Sequence, residues 1–238
     1  MKKKTSRCAV SRASAWCMYL LIGLCAGVCY LSSIPVDLQT KVVQEKLPIT
    51  VTIRTPINTE DGTKWRIGAG VLVSPNGAIL SCKHVVQGST ECIIRTVTGE
   101  EFVGTIATTS AKRDLALIAS SITSPTWARV RPKNLLLEGQ GIITIGAPFG
   151  LEFTVTRGII SAVNRDRGGY NLLQFDAATN PGNSGGPVFN MRGDLIGIVK
   201  SLYNPFVPMN SGLGLAVEQA QIHEFLTYCK KHGFLVLN

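Results

Sequence analysis

Asn180-Pro181-Gly182-Asn183-Ser184-Gly185-Gly186-Pro187-Val188-Phe189, then Asn190-Met191-Arg192-Gly193-Asp194, then Leu195-Ile196-Gly197-Ile198-Val199, is the stretch on which the fold class turns. Its five residues 182–186 match G-x-S-x-G, and Asp194 and His223 follow in the Ser, Asp, His order of an α/β-hydrolase. That motif needs a strand, a sharp turn and a helix. Here Ser184 is followed by an apolar strand, a turn centred on Gly193 and a second apolar strand, and two glycines before Pro187 make a poor helix start. The stretch therefore reads as a glycine turn feeding a β-hairpin, within an all-β chain.

A serine set among glycines is one that the backbone can expose, with its neighbouring N–H groups turned into the same small space. Acyl transfer uses that arrangement: a nucleophile beside donors for a developing oxyanion. A hydroxyl also needs a base, and the base needs a third group to fix its tautomer. The chain has three histidines. His84 ends the apolar run Ala78-Ile79-Leu80-Ser81-Cys82-Lys83, where packing holds it still, whereas His223 lies in a helical pattern. Asp114 opens Leu115-Ala116-Leu117-Ile118; a carboxylate there is partly buried and needs hydrogen bonds. His84, Asp114 and Ser184 are thus the candidate base, orienting acid and nucleophile. Taken singly, each also has a structural explanation: a packed histidine, a residue at a strand start, a serine in a hairpin turn.

The net charge of +9 suggests nucleic acid at first sight. Five of the 24 basic residues, Lys2, Lys3, Lys4, Arg7 and Arg12, precede Asp37, the first acidic one, which leaves 19 basic against 15 acidic residues in the remainder. No basic patch interleaved with aromatics stands out there, so no nucleic-acid partner is expected. Between Arg12 and Asp37 lie 24 uncharged residues, long enough to span a bilayer. Basic residues on the N-terminal side predict a cytoplasmic N-terminus and a body outside the cytoplasm. No small-x-small cleavage site follows Leu31, which favours an uncleaved, single-pass signal anchor at residues 1–36 in the cytoplasmic membrane; the alternative is a signal peptide cleaved to release the body into the periplasm. Of seven cysteines, Cys82, Cys92 and Cys229 lie in the body, with no zinc spacing. Either Cys82 and Cys92 pair, or all three are small buried thiols.

Residues 37–48 read as a polar stalk ending at Pro48. Beyond it, apolar or alternating runs near 49–54, 67–73, 77–82, 92–97, 101–107 and 114–119 form one group of strands, with turns at Pro56 to Asn58, Asp61-Gly62, Pro75-Asn76-Gly77 and Thr98-Gly99. A second group falls near 142–147, 154–163, 171–176, 186–190, 194–201 and 211–216. The two groups predict two six-stranded β-barrels over about 49–120 and 140–216, joined by residues 120–139 and closed by a C-terminal helix at 217–230, within a body spanning 49–238.

At this point the chain resembles a known family. Gly68-Ala69-Gly70-Val71-Leu72-Val73-Ser74, Ser81-Cys82-Lys83-His84-Val85-Val86, Asp114-Leu115-Ala116-Leu117-Ile118, Gly146-Ala147-Pro148-Phe149-Gly150, the run from Thr154 to Val163, Asp176 to Pro187 and Gly212-Leu213-Gly214-Leu215-Ala216 are similar to HtrA/Deg-type serine proteases of the chymotrypsin fold. The resemblance implies a serine endopeptidase in which Ser184 is the nucleophile, His84 the general base and then acid, and Asp114 its orienting partner. It implies an oxyanion hole from the backbone N–H groups of Gly182, Asn183 and Ser184, and substrate binding by Ala178, Val199 and Lys200. It implies no metal and no organic cofactor, unfolded protein substrates and a homotrimer. The chain departs from the family in having Cys82 where asparagine is common. Only 12 residues follow Leu226, so the PDZ domain that usually follows the protease is not expected. A non-catalytic chaperone or binding protein on the same fold is the alternative.

Overall fold

In a computed structural model, residues 37–60, 62–131, 135–166, 171–200 and 212–235 are described. The anchor expected at residues 1–36 lies outside them; among the described residues no helix is long and apolar enough to cross a membrane. Six antiparallel strands, β1 (Thr50–Thr59), β2 (Gly62–Leu72), β3 (Ile79–Cys82), β4 (Glu91–Arg95), β5 (Glu101–Ser110) and β6 (Leu115–Ala119), close into a barrel in the order β1-β2-β3-β6-β5-β4. Six more, β7 (Gly141–Gly146), β8 (Thr154–Asp166), β9 (Asn171–Phe175), β10 (Pro187–Asn190), β11 (Leu195–Val199) and β12 (Gly214–Glu218), repeat that order in a second barrel, β7-β8-β9-β12-β11-β10. Closure removes the free edges that an open sheet would leave. The expected pair of barrels is present, and among the described residues between them, 120–131 and 135–140, there is no helix or strand; Ala128 N–H donates to Leu72 O of the first barrel at 2.8 Å.

The sequence explains where these strands lie. β3 and β11 are buried along their whole length; β11 reads as an unbroken apolar run, and β3 is interrupted only by Ser81, whose hydroxyl donates to Ala69 O at 2.7 Å. One core cluster fills the first barrel and continues into the second through Ile143, Ile145, Phe189 and Ile198. A smaller cluster, including Ile160, Leu173, Phe175 and Ile196, fills the interior of the second.

Three expectations change. The turn at Pro56 to Asn58 is strand: Pro56 pairs with Trp65 and the hairpin turns between Thr59 and Gly62. β1 meets β4 only over Thr52–Arg54, so Pro56 sits on an open edge where a missing N–H costs no ladder bond. The stalk is instead helical over Leu38–Lys46 (α1), followed by a 3₁₀ turn at Leu47–Ile49, and α1 buries Val42 in the larger core cluster. The C-terminal helix is α3 (Gln219–Lys231), because Val217 and Glu218 still pair with Ile198 and Gly197 as strand.

Candidate active site

β3 delivers its last residue, Cys82, in extended conformation to a single helical turn, α2 (Lys83–Val86), whose Val85 and Val86 are buried. Those two valines anchor the turn and leave His84 half-exposed at the junction of the barrels. Opposite, Asp114 closes the β5–β6 turn at φ 55°, a left-handed conformation that aspartate tolerates better than most residues. That geometry aims both ends of Asp114 at α2. Its carbonyl accepts the Lys83 N–H at 3.0 Å, Oδ1 accepts the His84 backbone N–H at 3.1 Å, and Oδ2 accepts the ring Nδ1–H of His84 at 2.8 Å. A carboxylate only accepts, so the ring proton sits on Nδ1 and Nε2 presents its lone pair. Burial alone would raise the Asp114 carboxyl; the hydrogen bonds and charge of His84, with Lys200 adding to them, outweigh it and hold the group below the ordinary carboxylate range.

Ser184 comes from the second barrel. Its carbonyl accepts the Ala69 N–H at 2.8 Å, and the next residue, Gly185, donates to Val199 O at 2.9 Å. A Cβ on Gly185 would fall onto Ala69 O and Ser81 Oγ and stand 3.1 Å from Cys82 N, so only glycine lets this turn approach the strand that carries His84. Ser184 itself is 6% exposed. The structure thus joins His84 to Asp114 directly and seats Ser184 beside the same strand end.

The backbone around Ser184 is also set. Pro181 O accepts the Phe149 N–H at 2.9 Å, and across a planar trans peptide the Gly182 N–H points the opposite way. Among the described residues the N–H groups of Gly182 and Ser184 have no acceptor. The Asn183 N–H differs from expectation: it donates to Asn180 O at 3.0 Å within a tight turn, which leaves two donors rather than three.

The residues expected to bind substrate fare unequally. Ala178 is half-buried near the turn, its carbonyl accepting Thr156 Oγ1 at 3.1 Å and Asn183 Nδ2 at 3.4 Å. Val199 is a buried core residue, and its carbonyl is shared by the Gly185 N–H and, at 3.2 Å, the Cys82 thiol. Lys200 turns its ammonium to Asp114 Oδ2, 3.8 Å away, in place of an outward-facing pocket. Cys82, Cys92 and Cys229 are free and buried, so no Cys82–Cys92 bridge forms. Donor atoms of Cys82, His84 and Asp114 lie within 4.8 Å of one another. Burial, with Asp114 nearby, pushes the Cys82 thiol far up, so it keeps the proton that a metal ligand would have to lose. Sequence reasoning gave Lys200 to substrate binding and quoted Phe149 only within a family motif, and so missed the contact of Lys200 with Asp114 and the hold of Phe149 on Pro181. The available signals were a single cation ending an apolar strand and a Pro-Phe-Gly turn after β7.

Residues 68–198 match the family model of the trypsin-like peptidase domain. Two curated relatives bear the name "Probable periplasmic serine endoprotease DegP-like". One, from Marinomonas sp., is 35% identical over 147 residues, covering 60% of this chain and 31% of the relative. The other, from Hahella chejuensis, is 37% identical over 139 residues, covering 57% and 30%. The chain therefore spans under a third of the length of these relatives. Among solved structures, "HtrA-type protease AlgW with tripeptide" superposes with a TM-score of 0.73 at 28% identity, over 83% of this chain and 64% of that one. "HtrA-type protease AlgW with decapeptide" gives 0.72 at 26% identity, over 83% and 69%. With its two barrels and the match over residues 68–198, the chain belongs to the family of trypsin-like peptidase domains.

Proposed function

We propose that the chain is a serine endopeptidase acting through Ser184, His84 and Asp114. The observation that carries the reading is the double hold of Asp114 on His84, at 3.1 Å to its backbone and 2.8 Å to Nδ1, which leaves Nε2 as a base. Ser184 Oγ attacks the scissile carbonyl while His84 Nε2 takes its proton. The Gly182 and Ser184 N–H groups hold the oxyanion. His84 then gives the proton to the leaving amine, and water repeats the sequence to release the acyl group. Protein chains in unfolded form are the proposed substrates, a reading supported by the resemblance to HtrA/Deg-type proteases.

The test is hydrolysis of fluorescently labelled casein by the full-length protein in detergent. Ser184→Ala lowers turnover by a factor on the order of 10⁶ while leaving the fold intact. Undiminished hydrolysis by a clean Ser184→Ala preparation would remove the assignment.

The body is placed outside the cytoplasm on a membrane anchor, a reading supported by five basic residues ahead of 24 uncharged ones. The protein then stays with membranes through a high-salt wash and leaves them in detergent. Recovery of a soluble form that begins shortly after Leu31 would show cleavage instead.

A further inference from the structure

We propose that the cavity between α1, the inter-barrel connection and the β10–β11 hairpin is a binding site for a phosphate group. The cavity measures about 220 Å³, and its lining includes Lys46, Thr126, Trp127, Arg129, Arg192 and Asp194. It shares no residue with the candidate active site. Its three cations come from three separate stretches of chain, so the fold, and not a local basic run, brings them together.

Two of these cations are held in place. The Lys46 side chain is 19% exposed. Its stem lies against the hairpin where Gly193 has no side chain: a Cβ there would stand 2.5 Å from Lys46 Cε and 3.2 Å from Nζ. Among the described residues its one carboxylate neighbour is Glu45, 3.9 Å away and half-exposed, and no acceptor takes a hydrogen bond from its ammonium. A mostly buried ammonium in that position calls for an anion. Arg129 stacks over Trp127, with Cζ 5.8 Å from the ring centroid, and has no acidic partner among the described residues. Stacking covers the face of a guanidinium and leaves its N–H edge to a ligand.

The acids nearby do not fill this role. Asp194 is already held on both oxygens: Arg131 Nε reaches Oδ1 at 2.9 Å, and Asn190 Nδ2 and Arg192 Nε reach Oδ2 at 3.2 and 3.5 Å. With Arg131 counted, four cations meet two acids, Asp194 and Glu45, around the cavity. Of the residues left undescribed, only Asp61, between β1 and β2 in the chain, is acidic. A carboxylate offers two oxygens in one plane. A phosphate offers at least three acceptors around a tetrahedron, which suits donors from three segments; arginine takes it by paired N–H groups and lysine as a point charge. α1 follows the segment read as a membrane anchor with only Asp37 between, so a lipid phosphate is one source and a soluble phosphate the other.

The test is phosphorus NMR of the ligand, titrated with full-length protein in a phosphate-free maltoside detergent, once with inorganic phosphate and once with dihexanoylphosphatidic acid. Lys46→Met, Arg129→Gln and Arg192→Gln each remove one cation from the cavity. Lys112→Gln removes one from the exposed β5–β6 turn and gives the same net charge. The expected result is saturable line broadening that acetate at equal ionic strength does not reverse. Each cavity variant weakens it about tenfold, the worth of one charge-assisted hydrogen bond, and Lys112→Gln leaves it unchanged. Saturation by both ligands, or by either one, supports the site and identifies its source. Broadening with neither ligand, displacement by acetate, broadening that survives all three cavity variants, or equal weakening in Lys112→Gln overturns the proposal. None of these outcomes depends on peptide hydrolysis, so the endopeptidase reading stands or falls separately.

Discussion

At the scale of single residues, chemistry was most legible where one side chain needed one backbone conformation. Ser184 declared itself through its glycines, and His84 and Asp114 through the apolar runs that fix them. Asn183 was misread because its N–H is claimed by Asn180 O, a bond set by the handedness of the turn and not by residue type. Lys200 was misread because 86 residues of chain separate it from Asp114, and only the packing of one barrel on the other brings them to 3.8 Å. Specificity also belongs to this scale. Six residues before Ser184, the proposed nucleophile, where a trypsin-like pocket for a basic side chain carries a carboxylate, stands Ala178. The nearest acid, Asp176, spends Oδ1 on the Ile159 N–H at 2.6 Å against the Gly158 backbone. A buried lysine or arginine would find no partner and would cost several kcal/mol, whereas a small aliphatic side chain gains about 1–3 kcal/mol from burial. Cleavage mainly after Val, Ala, Ile or Leu is expected when casein fragments are mapped by mass spectrometry. A majority of cuts after Lys or Arg would contradict it.

At the scale of elements, each of the twelve strands overlaps an apolar or alternating run of the sequence, but β1 runs on to Thr59 through the turn expected at Pro56 to Asn58, and β2 begins at Gly62, ahead of its apolar run, because the hairpin pairs its polar arms as well. α1 was not legible: Leu38-Gln39-Thr40-Lys41-Val42-Val43-Gln44-Glu45-Lys46 lacks a full apolar stripe, and a single buried valine ties it down. The turn after β7 has a role that its sequence only hinted at. Phe149 sits at φ 53°, is 61% exposed, and its N–H holds Pro181 O. The backbone of this turn, and not its aromatic ring, is what orients the Gly182 N–H. Phe149→Gly keeps the donor and suits the positive φ, so hydrolysis is retained. Phe149→Pro removes the N–H and forces φ negative, and kcat falls on the order of 10²–10³, as for loss of one oxyanion donor. Equal activity of the two variants in the casein assay would show that the bond does not govern the hole.

At the scale of the whole molecule, the site exists only because the barrels meet. The larger core cluster crosses the junction, and polar contacts line it: Ala69 N–H to Ser184 O at 2.8 Å, the Cys82 thiol to Val199 O at 3.2 Å, Arg95 to Glu152 at 3.2 Å and Asp114 to Lys200 at 3.8 Å. Arg95–Glu152 is substantially exposed and adds little to stability. Asp114 is different, because it is mostly buried and serves both barrels. Its carboxyl lies below the unfolded value of 3.8, so folding favours the ionised form. The stability this contributes is fully present above the unfolded value and is lost as pH falls through the lower folded one. Asn at this position cannot ionise and has no such loss. In urea unfolding followed by tryptophan fluorescence, the stability difference between wild type and Asp114→Asn is therefore expected to narrow as the pH is taken from 5 to below 3. A difference that stays constant or widens over that range would mean that the carboxylate is no better stabilised in the folded protein than in the unfolded chain.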